Sequence, residues 1–240
     1  MTLAENSNMP WHKWFELLWL MTMTRQGLSL SFVEAALGVQ TSTALRMLHR
    51  ARAHMHAICE STMLGGPGRS VWLGTHTCRL IRGPNGRGRR RAVLLGLWDG
   101  VSLYTSVIAR RQRNFIRPVL HRTVRPGSTI IQLERDYLSC RTTKGSDVVG
   151  PDSPHAQAQD ALYLGAHWVN VIRSLKGSHL LTNRELLLDY IKEHEFRHHF
   201  RRQPASMFEM LISTFPDVRD PDAVPSMGLK LTKPSSTKVR

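Results

Sequence analysis

The hydrophobic repeat of this chain first changes at residues 61–70, Ser-Thr-Met-Leu-Gly-Gly-Pro-Gly-Arg-Ser. Before it, apolar residues recur three and four apart, the spacing of an amphipathic helix. After it they run in short blocks bounded by Gly, Pro and Asp, the pattern of strands. Three glycines and a proline in ten residues favour a turn over either element. The chain therefore reads as an α+β protein with a helical region over 1–60, a sheet-containing domain over 61–216 and a disordered tail over 217–240, where Pro, Lys, Ser and Thr gather.

In the helical region Trp11, Trp14, Phe15, Leu18 and Trp19 have helical spacing. Gly27 ends that helix. Ser29 is placed to cap a short second helix reaching Leu37, and Thr41 or Ser42 to cap a third running to about His56. The second and third form a helix-turn-helix pattern. Ala35 is small enough for a close helix crossing, Gly38 tolerates the turn, and Val39 plugs the space between the helices. Ala44, Leu48 and Ala51 then face inward. Thr43, Arg46 and Arg50 share the outward face, the kind of polar, cationic face that a recognition helix offers to the DNA major groove. The same pattern also fits a plain three-helix packing unit.

Beyond the Gly/Pro segment, strands are expected over 71–80, 92–98, 101–109 and 128–133, with Asp99-Gly100 as a hairpin turn. Helices are expected over 113–123, 155–176, 183–202 and 206–214, and a polar loop over 139–153.

Charge narrows the partner. Lys and Arg number 33 against 18 acids, a net charge of +15. Between 61 and 125 stand thirteen arginines, no lysine and a single acid, Asp99. Guanidinium forks match phosphate oxygens, so double-stranded DNA is the natural partner. The run Arg87, Arg89, Arg90, Arg91 reads as a basic loop able to lie along a phosphate backbone, or as a solvated hairpin tip or nuclear-import signal. The three cysteines, 59, 78 and 140, form neither a C-x-x-C pair nor a disulfide framework. No apolar run is long enough to span a bilayer, and no basic-then-apolar leader is visible. A nuclear protein, or a cytoplasmic one before import, without a membrane partner and able to form a homo-oligomer, is expected.

Several segments, in order, resemble transposases of the Merlin type, eukaryotic relatives of small bacterial insertion-sequence transposases with a DDE catalytic core. Leu37-Gly38-Val39 and Ala44-Leu-Arg-Met-Leu-His-Arg50 are similar to that family's DNA-binding helices. Leu64-Gly-Gly-Pro-Gly-Arg-Ser-Val71 resembles the approach to its first catalytic strand, and Gly127-Ser-Thr-Ile-Ile131 the approach to its second acid. His155-Ala-Gln-Ala-Gln-Asp160-Ala-Leu-Tyr163 resembles the helix carrying the third acid. The resemblance implies an N-terminal helix-turn-helix followed by an RNase H-like domain. It also implies phosphoryl transfer by two Mg²⁺ or Mn²⁺ ions held by three separated carboxylates.

The acids themselves are largely missing. Gly74 and Thr75 stand where the family has adjacent acids, and no Asp or Glu occurs from Ser61 to Trp98. The second acid falls on Gln132, or on Leu133 if the count slips by one. Asp160 retains the third position. One carboxylate cannot hold two hard divalent ions, so Asp160 is at most a residual metal ligand and no cofactor is assigned. His76 is a poor Mg²⁺ substitute. His194-Glu-Phe-Arg-His198 has the spacing of a zinc-protease motif, but Arg197, Arg201 and Arg202 around it suggest a cationic helix face instead. The sequence thus points to a transposase-derived DNA-binding protein without strand transfer. The alternatives are an active transposase with unconventional ligands and an interaction protein with no DNA role.

Overall fold

A computed structural model describes residues 9–24, 27–82, 89–134, 142–143, 146–150, 159–177, 184–201 and 203–214. The proposed tail, 217–240, lies outside them. Three helices come first: α1 (Trp11–Met23), α2 (Leu30–Leu37) and α3 (Thr41–Cys59). Strands β1 (Ser70–Arg82), β2 (Arg89–Trp98) and β3 (Leu103–Ile108) follow, then α4 (Arg113–Thr123), β4 (Thr129–Gln132), β5 (Thr142–Thr143) and β6 (Ser146–Val149). Helices α5 (Gln159–Gly177), α6 (Arg184–Phe200) and α7 (Pro204–Ser213) close the described chain.

Ser29 caps α2 as its sequence position predicts, its hydroxyl accepting from the Phe32 amide at 3.2 Å. Gly38 ends α2 in the left-handed region, at φ 58° and ψ 45°. Two expectations fail here. Helix α3 begins after Gln40 without a side-chain cap, because the Thr41 hydroxyl donates to Glu34 at 2.8 Å instead. Ala35 is exposed, and Val33 and Leu37 make the inward contacts of α2.

The sheet has the order β3-β2-β1-β4-β6-β5. The first three strands form an antiparallel meander, β4 runs parallel to β1, and β6 runs parallel to β4. A mixed sheet of this order with flanking helices is consistent with an RNase H-like domain. β5 and β6 fall within the segment expected to be a polar loop. They are too short for an alternating pattern, and pairing with β4 is what makes them strands.

Strand alternation splits the sheet's side chains between two cores. Val71, Leu73, Leu95, Leu97 and Ile130 pack with Ile116 and Leu120 of α4. Cys78 and Leu94 pack on the other face with Trp168 and Val171 of α5 and Leu187 and Ile191 of α6. A third core joins Trp14, Leu17, Leu18, Val33, Leu48 and Met55 to Phe196 and Phe200 of α6 and Met207 and Leu211 of α7. The N-terminal helices thus share their core with the last two helices of the described chain.

Residues 61–70 are tied down rather than slack. Leu64 donates to Thr123 and accepts from Arg125, both across the start of β4's approach. Gly65 sits at φ +69°, and a Cβ there would lie 2.4 Å from the Ser128 hydroxyl, so only glycine fits.

Candidate nucleic-acid interface and the Gly74 locus

Gly74 lies on β1 opposite Gly96 of β2. Both face α5. A Cβ on Gly96 would come 2.9 Å from the Trp168 ring and 3.1 Å from Leu164. A Cβ on Gly74 would meet Leu133 at 3.2 Å and Leu164 at 3.5 Å. The two glycines form a floor on which α5 seats its Leu164 and Trp168. Sequence reading treats Gly74 only as a lost acid. Its pairing with Gly96, twenty-two residues away and visible only in the register, gives it a packing role.

Gln132 pairs with Leu73, not with Gly74. Partners in a ladder point the same way, so Gln132 shares the α4 face and Leu133 shares the face of Gly74. Gln132 is buried. Asp160 stands in the first turn of α5, one turn ahead of Leu164; its side chain lies outside the described residues. The structure therefore brings Gly74, Leu133 and the start of α5 to one locus, lined by the leucines 133 and 164. Among the described residues, no group of three His, Cys, Asp or Glu could hold a metal ion.

Polar groups gather on the opposite face. Thr75 donates to Glu134 at 3.4 Å, and Glu134 pairs with Arg111 at 3.1 Å. His76, by contrast, shares the face of Gly74; burial, followed by the nearby Arg111 charge, lowers its pKa, which makes it less cationic. Asp136 lies outside the described residues.

The residues 194–199 have a structural task. β3 is an edge strand, and α6 satisfies its outward backbone groups. Thr105 donates its amide and its hydroxyl to Glu195, each at 2.6 Å, and His199 Nε2 lies 2.9 Å from the Leu103 carbonyl. Such cover keeps an edge from pairing with other chains. Lys192 is fully buried, donates to Glu195 at 3.0 Å and sits over the Tyr104 ring. The cationic-face expectation is corrected for Arg197: it is buried, paired with Glu193 at 2.7 Å and donating to the Thr24 carbonyl. Glu193 also accepts from Arg52 of α3 at 2.7 Å. Burial acts to raise its pKa, and the two arginines override that, bringing it to about 2.

On the basic surface, Arg46 is exposed while Thr43 and Arg50 are half-buried on α3. Arg87 lies outside the described residues. Arg89 and Arg90 belong to β2, not to a loop, because the β1–β2 ladder extends to Arg82 and Arg89; their side chains are not described. Arg91 is exposed. Around α4, Arg110, Arg111, Arg117, Arg122 and Arg125 are exposed. The single acid of this stretch is engaged internally: Asp99 accepts from the amides of Gly65, Val101 and Ser102. It offers these arginines little compensation, although Glu134 and Glu60 pair with Arg111 and Arg122.

No protein-family model matches the chain. No curated protein matches it either. Among solved structures, a pre-cleavage Mos1 transpososome is similar at 12% identity, with 83% of this chain and 78% of that chain covered and a TM-score of 0.25. A likeness of that size carries no argument about function, which must be read from the surface and the locus described above. No helix among the described residues is long and apolar enough to cross a membrane.

Proposed function

We propose that this chain is a DNA-binding protein descended from a DDE transposase and that it has lost strand transfer. The observation that carries the DNA-binding reading is the run of exposed arginines around α4, in a stretch whose one acid is spent on the Asp99 turn. Phosphate contacts of this kind give affinity that falls steeply with salt. Arg46 and Arg50, in the first half of α3 after the α2–α3 turn, put cations on that helix, supporting a helix-turn-helix role. The loss of cleavage is supported by the lack of a carboxylate on β1 and by the apolar neighbours of Gly74, the leucines 133 and 164, which offer no ligand to a divalent ion. The arginines of 87–91 would add further phosphate contacts in this proposal, and the protein would work in the nucleus.

The test is a filter-binding titration on duplex DNA at rising NaCl, paired with a nicking assay in Mg²⁺ or Mn²⁺. Binding should weaken by orders of magnitude between about 50 and 200 mM salt. Arg110→Ala with Arg117→Ala should flatten that slope by about two, one per lost phosphate contact. Absence of salt-sensitive binding would leave the interaction-protein reading. Metal-dependent cleavage abolished by Asp160→Ala would establish the active-transposase reading instead.

A further inference from the structure

Helix α4 buries Ile116, Leu120 and Thr123. Its outer face carries Asn114, Phe115, Arg117, Pro118 and Arg122, all exposed. The large apolar side chain of that face is Phe115, 40% exposed. Among the described residues no aromatic ring stacks on it and no guanidinium lies over it. Arg122 follows it by seven residues, on the same side of the helix and about 10 Å along the axis. Arg110 and Arg111 stand just ahead of the helix and Arg125 just beyond it, all exposed. Some of these cations already have neighbours. Arg117 donates through Nε to His121 at 3.0 Å, Arg111 pairs with Glu134, and Arg122 pairs with Glu60. A guanidinium has more donors than one such partner takes.

We propose that this face takes single-stranded DNA, with an unpaired base stacked on the Phe115 ring and the flanking arginines on the strand's phosphates; the proposal rests on the DNA-binding reading above and names the form of DNA the α4 surface holds best. Charge selects a polyanion. Five arginines surround the phenyl and two glutamates oppose them, so an apolar protein surface laid on the ring would strand several cations without partners. The ring then selects the kind of polyanion. In a duplex each base face is covered by its neighbours in the stack, and the phenyl would meet only sugar and phosphate. A single strand offers base faces and phosphates together, and an aromatic ring beside cations is the pairing of groups that holds it. Every base has a π-face, so the strand is gripped with little regard to sequence. The ring sits on a helix whose inner face is packed in the core, so little ordering is needed when a base arrives.

The experiment is fluorescence anisotropy on the full chain with two labelled probes, an oligothymidylate and a duplex of the same length, over a range of NaCl. Phe115→Leu keeps an apolar side chain on the helix and removes the π-face. It should weaken oligothymidylate binding about tenfold, the size of one stacked base, and leave duplex binding in place. Phe115→Trp should hold the single strand at least as well as the native chain. The salt slope on the single strand should be the same with Phe115→Leu as without it, because no phosphate contact is lost, whereas Arg110→Ala with Arg117→Ala should flatten it. The unfolding midpoint of each variant shows that the chain is folded. Salt-sensitive duplex binding together with a single-strand affinity indifferent to Phe115→Leu overturns the stacking proposal and leaves the DNA-binding reading standing. An equal loss on both probes also overturns it. A folded chain that binds neither probe overturns both.

Discussion

Gly74→Asp would put an acid where the transposase resemblance implies one, and the packing around it says what that should cost. Gly74 has no positive φ, so a side chain meets no backbone strain there. Its Cβ would lie 3.2 Å from a Leu133 methyl and 3.5 Å from one of Leu164. Leu133 is half-buried and its end can shift. Gly74→Ala should therefore be close to neutral, because the crowding is offset by about 0.5–1 kcal/mol from removing a strand glycine. A carboxyl group is different. Between two leucines a neutral acid forgoes its hydrogen bonds, at about 1–3 kcal/mol, and the ionised form costs more. The total should be about 2–4 kcal/mol near neutral pH, with the pKa of the new carboxyl raised. The raised pKa fixes the sign of the pH dependence: the folded state then binds more protons than the unfolded, so the deficit is largest above the folded pKa and shrinks as pH falls through it. Urea unfolding of Gly74→Ala, Gly74→Asn and Gly74→Asp checks this. The Asp and Asn variants should converge on acidification, and about 10 mM Mg²⁺ should stabilise neither. An Asp variant as stable as the Ala variant, or one stabilised by Mg²⁺, would show that the locus is open to water and metal and would refute the filled-site reasoning.

The remaining predictions concern the polar interior. Glu193→Gln leaves Arg52 and Arg197 buried without their shared carboxylate and should cost about 3–5 kcal/mol in equilibrium unfolding. Burial, with smaller contributions from neighbouring cations, depresses His167 to about 3 and His198 to about 2, the latter ring packed against Trp98 and Tyr163. Both stay neutral in the fold while the unfolded chain takes up protons below about pH 6.5, so stability should fall on acidification by up to about 1.4 kcal/mol per pH unit for each ring. His198→Phe should flatten that acid limb in a pH series of urea midpoints, and an unchanged slope would count against the burial of this ring. His56 runs the other way. Against the lowering effect of its burial, Asp189 and Glu60 raise it to about 9, so its stabilising pairs are complete below about pH 6.5 and are lost as pH rises through 9. Asp189→Asn should lower the His56 pKa, followed by the imidazole NMR shift, and should destabilise more at pH 6 than above pH 9, by about 1 kcal/mol for a half-buried pair.

Much of the element order was legible in the sequence because it rests on local patterns. The capped helix at Ser29, the turn at Gly38, the Asp99-Gly100 hairpin and the helix over 113–123 all depend on neighbours within a few residues, and each is present. The excess of arginine around α4 and the absence of any acid from Ser61 to Trp98 are likewise properties of the chain itself. Spacing alone could not say which aromatics of α1 are buried, because two adjacent faces of that helix are apolar and only the neighbours in space choose between them. Nor could it show that Arg197 and Lys192 are buried, since their burial depends on partners supplied by α3, α6 and β3. The same holds for Gly74. By itself the sequence determined that no carboxylate stands on the first strand. Only the tertiary structure decided what stands there: pairing across the ladder sets Gly74 beside Gly96, Leu133 packs against it, and α5 lowers Leu164 and Trp168 onto the space that the two glycines leave.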